Sequence, residues 1–497
     1  MEDIAFLKWL GTFAAVGLIW ACGRRFYRLR HIPTVGGPSL PILSYLGVIR
    51  LMHDARNMLH EGYNKHYGSL FKVAFPNQWF VVVTGDKLID ELRRLPDDVA
   101  LFKDAIKDLL ELDTTIGPAF HADPYHIDVI RTQLTRGIGN AFPSLYNEIE
   151  DAFEELLPVY ANQWTVVDDM LQKLQRITAR VSNRAFVGMP ICRNNTYLDL
   201  VIQHTMDIAW TRKRMILIPR FLKPLAAMFF SRALNDINQG HELLLPVLVE
   251  RRNKFDNQEK DPASGPSDYL DCLMEAALLR GKGLESVTQM IFATNFAAIH
   301  TSSNSMMYFL YDVAAHPDCI PSLREEIQEV VRDQGWTKDA VGKLLKLDSF
   351  MRESQRFNGT SAISVMRKSV KGVTFSNGQY VPPGVVMVVP AREIHFDSRV
   401  YDNPDVFDPL RFYTMRANGV NEQFANTSTS YVAFGLGKHA CPGRFFASCE
   451  LKAMAAHLLL HYDWKFETGK DRPENRWFAV SVMPDTDVEL LFKKREW

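Results

Sequence analysis

Cysteine is scarce and scattered in this sequence: six residues, at positions 22, 192, 272, 319, 441 and 449 of 497. None forms a C-x-x-C pair, which excludes a disulfide framework and a zinc ribbon and points to a reducing compartment for the bulk of the chain. An excess of one charge is also missing. The 57 Lys+Arg balance 58 Asp+Glu to a formal −1, with pI near 6.9, so no basic field calls for nucleic acid. Glycine (28) and proline (25) are at ordinary levels and there is no internal repeat, which excludes fibrous and disordered classes. There is no G-x-G-x-x-G fingerprint, so the chain brings no flavin or nicotinamide site of that kind. Past the N-terminus no run of 18 uncharged apolar residues occurs, and mean hydropathy is −0.13. What is present, 47% hydrophobic and 11% aromatic residues, is enough to bury a large core.

The exception to that polarity is Ile4 to Cys22, apolar apart from Lys8 and Thr12. Its 19 residues, at about 1.5 Å each, just reach the hydrocarbon thickness of about 30 Å. Arg24, Arg25, Arg28 and Arg30 follow at once, which holds that flank in the cytoplasm. Residues 1–23 therefore read as a single-pass membrane anchor and 24–41, rich in Arg, Pro and Gly, as a bent connector. Residues 42–497 read as one catalytic domain, mainly α with small β-sheets. Ser69 to Thr84 reads as a hairpin around Pro76-Asn77-Gln78, and Ser364 to Pro390 as a second β-rich region. Arg251 to Asp268, with Pro262, Gly265 and Pro266, reads as a surface loop. Leu284 to Ala315 contains neither Pro nor Gly and reads as one long helix.

The chemistry concentrates in Phe434-Gly435-Leu436-Gly437-Lys438-His439-Ala440-Cys441-Pro442-Gly443-Arg444. Two glycines before the cysteine allow a tight loop, and an apolar helical pattern starts after Gly443. Such a loop aims backbone N–H groups at the sulfur, and the helix N-terminus favours the anionic form. Phe434 through Gly443 match every fixed position of the signature F-G-x-G-x-[HR]-x-C-x-G, so the sequence resembles the haem-thiolate monooxygenases, the cytochrome P-450 family. The resemblance implies that Cys441 is the axial ligand of haem b iron in a loop begun by Phe434 and Gly435, with His439 a propionate partner. Cys449, outside the motif, reads as packing.

Other landmarks follow in the family's order. Glu353 and Arg356 match E-x-x-R, three apart on one helix face, and Arg411 in Pro409-Leu410-Arg411-Phe412 matches the third member of a structural triad. Arg367 resembles a second propionate anchor. Where the family carries W-x-x-x-R, this chain has no tryptophan; His126 and Arg131 are the candidates for reaching a propionate. Thr301 stands where the family places the alcohol that relays protons to dioxygen. Ala298 and His300 depart from the family's glycine and acid, and His300 is a candidate for the relay because imidazole titrates near neutrality.

By family position, Ile116, Phe120, Ala297, Ile363, Val365 and Val480 line the distal pocket, and none is charged. Val201 to Ser231 matches a membrane-facing roof or an ordinary amphipathic face. The resemblance implies an endoplasmic reticulum enzyme with its catalytic domain in the cytoplasm, drawing NADPH electrons through a reductase, with cytochrome b5 as an accessory partner. Lys438 and Arg444 are candidates for a basic docking face. The A-x-H-T form resembles fungal secondary-metabolism members, many acting on terpenoids. Two alternatives stand beside a monooxygenase: a reductase-independent peroxide-using enzyme or isomerase, and a non-enzymatic haem sensor.

Overall fold

The computed structural model describes all residues except 1–26, 41, 77, 117–121, 217, 219–221, 257–267, 421 and 497. The expected anchor lies outside the described residues; among those described, no helix is long and apolar enough to cross a membrane.

Helices carry the domain. They include α1 (Ser44–Lys65), α2 (Thr135–Leu156), α3 (Met170–Phe186), α4 (Asn195–Met215), α5 (Ala233–Asp256), α6 (Leu284–Ala315), α7 (Leu345–Phe357) and α8 (Arg444–His461). The expected single helix over 284–315 is α6; Gly283 precedes it and His316-Pro317 stop it. It is apolar nearly all round, the pattern of a helix inside a core rather than on its surface, and it packs against α3, α4, α5, α7 and α8. Of the loop expected over Arg251–Asp268, the first residues are helical instead, because α5 continues to Asp256, and 257–267 lie outside the described residues. Nothing in Arg251–Asp256 breaks a helix, and Arg251 is tied to Asp268 (2.6 Å) and Asp271 (2.8 Å).

A five-stranded sheet flanks the helices in the order β1 (Leu70–Phe75), β2 (Gln78–Val83), β8 (Val386–Pro390), β5 (Ile363–Ser369), β3 (Ala100–Leu101). β1 and β2 form the expected hairpin, from Leu70↔Val83 to Phe75↔Gln78. The register of β5 on β8 slips between Ser364 and Arg367, and there Val365 takes φ +48°. A β-branched residue held in the left-handed region costs about 1–3 kcal/mol. The slip turns Val365 into the cluster holding Val432 and Leu436 while Ile363 joins Val480 and Ala105 on the other face. Smaller sheets are β4 (Thr165–Val167) with β12 (Leu490–Lys494) and β9 (Tyr462–Phe466), β6 (Val373–Thr374) with β7 (Tyr380–Val381), and β10 (Arg476–Phe478) with β11 (Ser481–Met483).

Candidate active site

The cysteine loop is shaped by its glycines. Gly435 (φ +74°) and Gly437 (φ +71°) occupy left-handed backbone, and a Cβ on Gly437 would lie 2.7 Å from Arg93 Cγ, so only glycine fits there without strain. The loop closes when the Cys441 amide donates to the Phe434 carbonyl at 2.7 Å, and the Phe434 ring meets Phe424 edge-on. α8 starts at Arg444. The Gly443 and Arg444 amides point at the Cys441 sulfur and, with the Arg444 and Arg131 charges, favour its thiolate. Burial outweighs them and leaves the free thiol raised.

A cluster of charge sits beside this loop. Arg367 is 1% exposed; it donates to the Met366 carbonyl at 2.7 Å, while its Nε and Nη2 are buried with no partner. Burial lowers it to about 10. A guanidinium with two idle donors is a fork made for a carboxylate. His439 stacks on Phe102 with centroids 5.5 Å apart, and Arg367 lies 5.8 Å from the same ring. Asp97, which no local pattern had singled out, is bonded to His439 Nε2 (2.8 Å) and Lys438 Nζ (2.9 Å). Lys438 is thus engaged, and Arg444 spends one donor on the Cys441 carbonyl at 2.9 Å.

His126 and Arg131 separate. His126 is buried, 3.0 Å from Met290 Sδ on α6, and burial lowers it to about 4, so it is neutral. Arg131 is exposed and donates to the Lys438 carbonyl at 2.8 Å. A π-helical turn, Ile130–Leu134, carries Arg131 between the His126–Val129 turn and α2.

Beneath the loop, Glu353, Arg356 and Arg411 meet in the core. Glu353 takes Arg356 on both oxygens (2.7 and 2.8 Å) and Arg411 Nε at 3.2 Å, and it accepts the Asp408 amide at 3.0 Å. Arg356 reaches the His395 and Pro404 carbonyls, and Arg411 those of Asp402 and Val406. His395 in turn accepts the Val432 amide at 3.1 Å, two residues before the cysteine loop.

On α6, Ala297 and Thr301, four apart, share an open face of an otherwise buried helix. The Thr301 hydroxyl bonds back to the Ala297 carbonyl at 2.7 Å, the usual resting state of a helical threonine. His300, next in sequence but about 100° round the helix, reaches instead to Gln175 of α3. Of the pocket candidates, Ile116, Ile363, Val365 and Val480 are buried apolar residues; Phe120 lies outside the described residues.

The donor set fits haem. Cys441 would hold the iron, with amides already aimed at the sulfur, and Arg367 would hold a propionate with its idle donors. Arg367→Met is expected to leave the haem-free chain as stable or more so, because it removes an unpaired buried charge. Haem retention should fall on the order of tenfold to a hundredfold. Thermal melts of haem-free protein and the rate of haem transfer to an acceptor would check both halves.

Comparison with known proteins agrees. A family profile described as Cytochrome P-450 matches residues 35–492. The chain is 43% identical over 472 residues to Cytochrome P-450 monooxygenase 71 of Postia placenta, covering 94% of each chain. It is 31% identical to Cytochrome P-450 monooxygenase CYP512U6 of Ganoderma lucidum, covering 100% of this chain and 97% of that one. To Cytochrome P-450 monooxygenase paxP of Penicillium paxilli it is 32% identical, covering 99% and 96%. The solved structure of retinoic acid bound cyanobacterial CYP120A1 superposes with TM-score 0.66 at 19% identity, over 90% of this chain and 96% of that one, and shows the shared fold. With the signature loop, the fold and the relatives in agreement, this chain belongs to the cytochrome P-450 family of haem-dependent monooxygenases.

Proposed function

We propose that this monooxygenase is anchored by residues 1–23 to the endoplasmic reticulum, with 24–41 as connector and 42–497 as catalytic domain. It takes NADPH electrons through a separate reductase, with cytochrome b5 as accessory donor, and hydroxylates or further oxidises an apolar metabolite of terpenoid type. The carrying observation is the Cys441 loop with its aimed amides and the half-idle Arg367 beside it. Haem held by a cysteine thiolate supplies activation of dioxygen and insertion of one oxygen atom into an unactivated C–H bond.

The chain's own residues do the rest. Arg367 and His439 orient the group by its propionates; Ile116, Ile363 and Val480 exclude water and select apolar substrate; Thr301 and His300 hold and pass protons. Membrane attachment is supported by a run of exposed apolar side chains. Ile42 and Leu46, 80% and 56% exposed, lie at the start of α1. α1 touches the β10–β11 hairpin, where the Ala479 amide donates to the Met52 carbonyl at 3.2 Å. Lys213 covers both Phe478 of that hairpin and Trp210. Met228 and Phe229, 80% and 77% exposed, lie on the helix Lys223–Phe230, whose Phe230 ring carries Arg214 of α4. An apolar face rimmed by cations suits the headgroup boundary of a bilayer, from which a terpenoid would partition.

Membranes carrying the chain and a reductase should convert such a substrate only with NADPH; conversion by peroxide alone, or none across a terpenoid panel, would reject the reading. Thr301→Ala is expected to keep NADPH consumption while product per NADPH falls about tenfold or more, the balance leaving as hydrogen peroxide. Full coupling in that variant would remove Thr301 from the proton path.

A further inference from the structure

Arg212 stands near the end of α4, on a helix face it shares with Ile208 one turn before it and Ile216 one turn after. Ile208 is buried in the main core, and Ile216 packs on the apolar cluster that contains Ile363 and Val480. The Arg212 side chain has one hydrogen-bond partner among the described residues, the Leu109 carbonyl, which accepts from Nε at 2.7 Å. Leu109 packs on that same cluster, and its helix, Phe102–Leu110, lies against β5, which bears Ile363 and Arg367. The guanidinium is thus set in the wall of the proposed substrate pocket. It is half-buried, and its free nitrogens are not sealed in as those of Arg367 are. Three acids on the neighbouring stretch are already matched: Asp108 with Lys368 at 2.6 Å, Asp113 with Lys107 at 2.8 Å, and Glu111 with Lys223. Of the described acids only Glu111 acts on Arg212, and burial outweighs its pull and lowers the arginine. What remains is a surplus cation in an apolar wall.

We infer that the substrate carries a carboxylate, held by the two terminal nitrogens of Arg212, with its apolar skeleton lying along Ile363 and Val480. The inference rests on the proposed reading of those residues as the pocket wall. Tying α4 to the Leu109 carbonyl needs a single donor, which a neutral amide could supply without the cost of an unpaired, desolvated charge. A guanidinium has five N–H donors, and with Nε spent on Leu109 the Nη pair still presents two parallel bonds that a carboxylate matches. Such a pairing fixes one end of the molecule. The carbon offered for oxidation is then set by its distance along the skeleton from the acid, which makes Arg212 a residue that determines specificity and takes no part in the chemical step.

The test titrates the haem-loaded parent, Arg212→Met and Arg212→Lys with a panel of terpenoid and long-chain fatty carboxylic acids, each beside its methyl ester. The ligand-induced shift of the oxidised Soret band gives each dissociation constant without turnover. In the parent at least one acid should bind about tenfold or more tighter than its ester, the scale of a hydrogen bond to a charged group. Arg212→Met should erase that preference by weakening the acid and sparing the ester, while Arg212→Lys should keep part of it, having the charge without the fork. Haem-free Arg212→Met should melt with the parent, since loss of the Leu109 bond is offset by removal of an unpaired buried charge; if it does not fold, Arg212→Lys decides by weakening acids and sparing esters. An acid preference unchanged in the variants, equal weakening of acid and ester, or a parent with no acid-preferring pair would overturn the inference. The pocket reading fails separately: if esters bind and turn over with NADPH but acids gain nothing, only the anchor is lost, whereas a panel that neither shifts the band nor turns over removes both.

Discussion

Cys441→Ser is expected to abolish the red-shifted Soret band of the reduced carbon monoxide complex and to lower monooxygenase turnover by more than about a hundredfold, more than the loss of a supporting contact removes at a metal site. The substitution changes one atom and little volume. The Gly443 and Arg444 amides and the Cys441 N–H to Phe434 carbonyl bond at 2.7 Å are backbone features that serine keeps, so the loop should hold its shape and Arg367 should still draw haem. What is lost is a polarisable donor that becomes a thiolate under a metal's charge; an alkoxide is far harder to form. Cys449→Ser is the control. That thiol is buried, pushed up to about 12 and packed in the main core, so its replacement should cost about 1–3 kcal/mol for burying a hydroxyl and leave the spectrum intact. A red-shifted band that survives in Cys441→Ser, or is lost in Cys449→Ser, would place the ligand elsewhere.

The parts of the site that could be read from the sequence share a property: the constraint lies within a few residues. Glycines at 435 and 437 have to take positive φ, and the Glu353–Arg356 pair needs only one helical turn to form. The β1–β2 hairpin and α6 follow the same rule, set by a turn signal and by the lack of any breaker. What stayed hidden depends on distant encounters. Asp97 meets His439 across 342 positions, and Gln175 meets His300 across 125; polar residues on loops and helix faces carry no periodic mark of their partners. Arg352, one place before the E-x-x-R glutamate, is fully buried with its guanidinium 3.6 Å from the Tyr431 ring, a position that only the folded chain assigns. The register slip that gives Val365 φ +48° is equally illegible, since the local pattern of alternating residues would have left it facing with Ile363. The separation of His126, in the core, from Arg131, at the surface, likewise shows only in the folded chain.

Glu353→Ala should be the most damaging single change outside the metal ligand, with no folded, haem-containing protein recovered under conditions that yield the parent. Glu353 is 0% exposed and answers two buried guanidiniums at once, Arg356 at 1% and Arg411 at 8% exposure. Removing one member of a buried ion group leaves the others charged and desolvated, at a cost of about 3–5 kcal/mol, against a total stability of only about 5–15 kcal/mol for a typical domain. The damage would spread along the chain, because Arg356 and Arg411 also bind the carbonyls of His395, Pro404, Asp402 and Val406. That stretch leads through the His395 to Val432 bond into the cysteine loop. Glu353→Gln keeps the shape but loses the charge and exchanges one of two accepting oxygens for an NH2 that faces N–H donors, so it should fold in part, melt well below the parent and release haem faster. Arg411→Met separates charge from shape from the other side: it leaves Glu353 paired with Arg356, so it should cost less than Glu353→Ala. Thermal melting of the haem-free chains and the haem content of purified protein measure the series, and the expected order of stability is parent, then Arg411→Met and Glu353→Gln, then Glu353→Ala. If Glu353→Ala were to retain haem and melt within a degree or two of the parent, the trio would be incidental to the loop's position, and the carbonyl contacts of the two arginines alone would have to hold it.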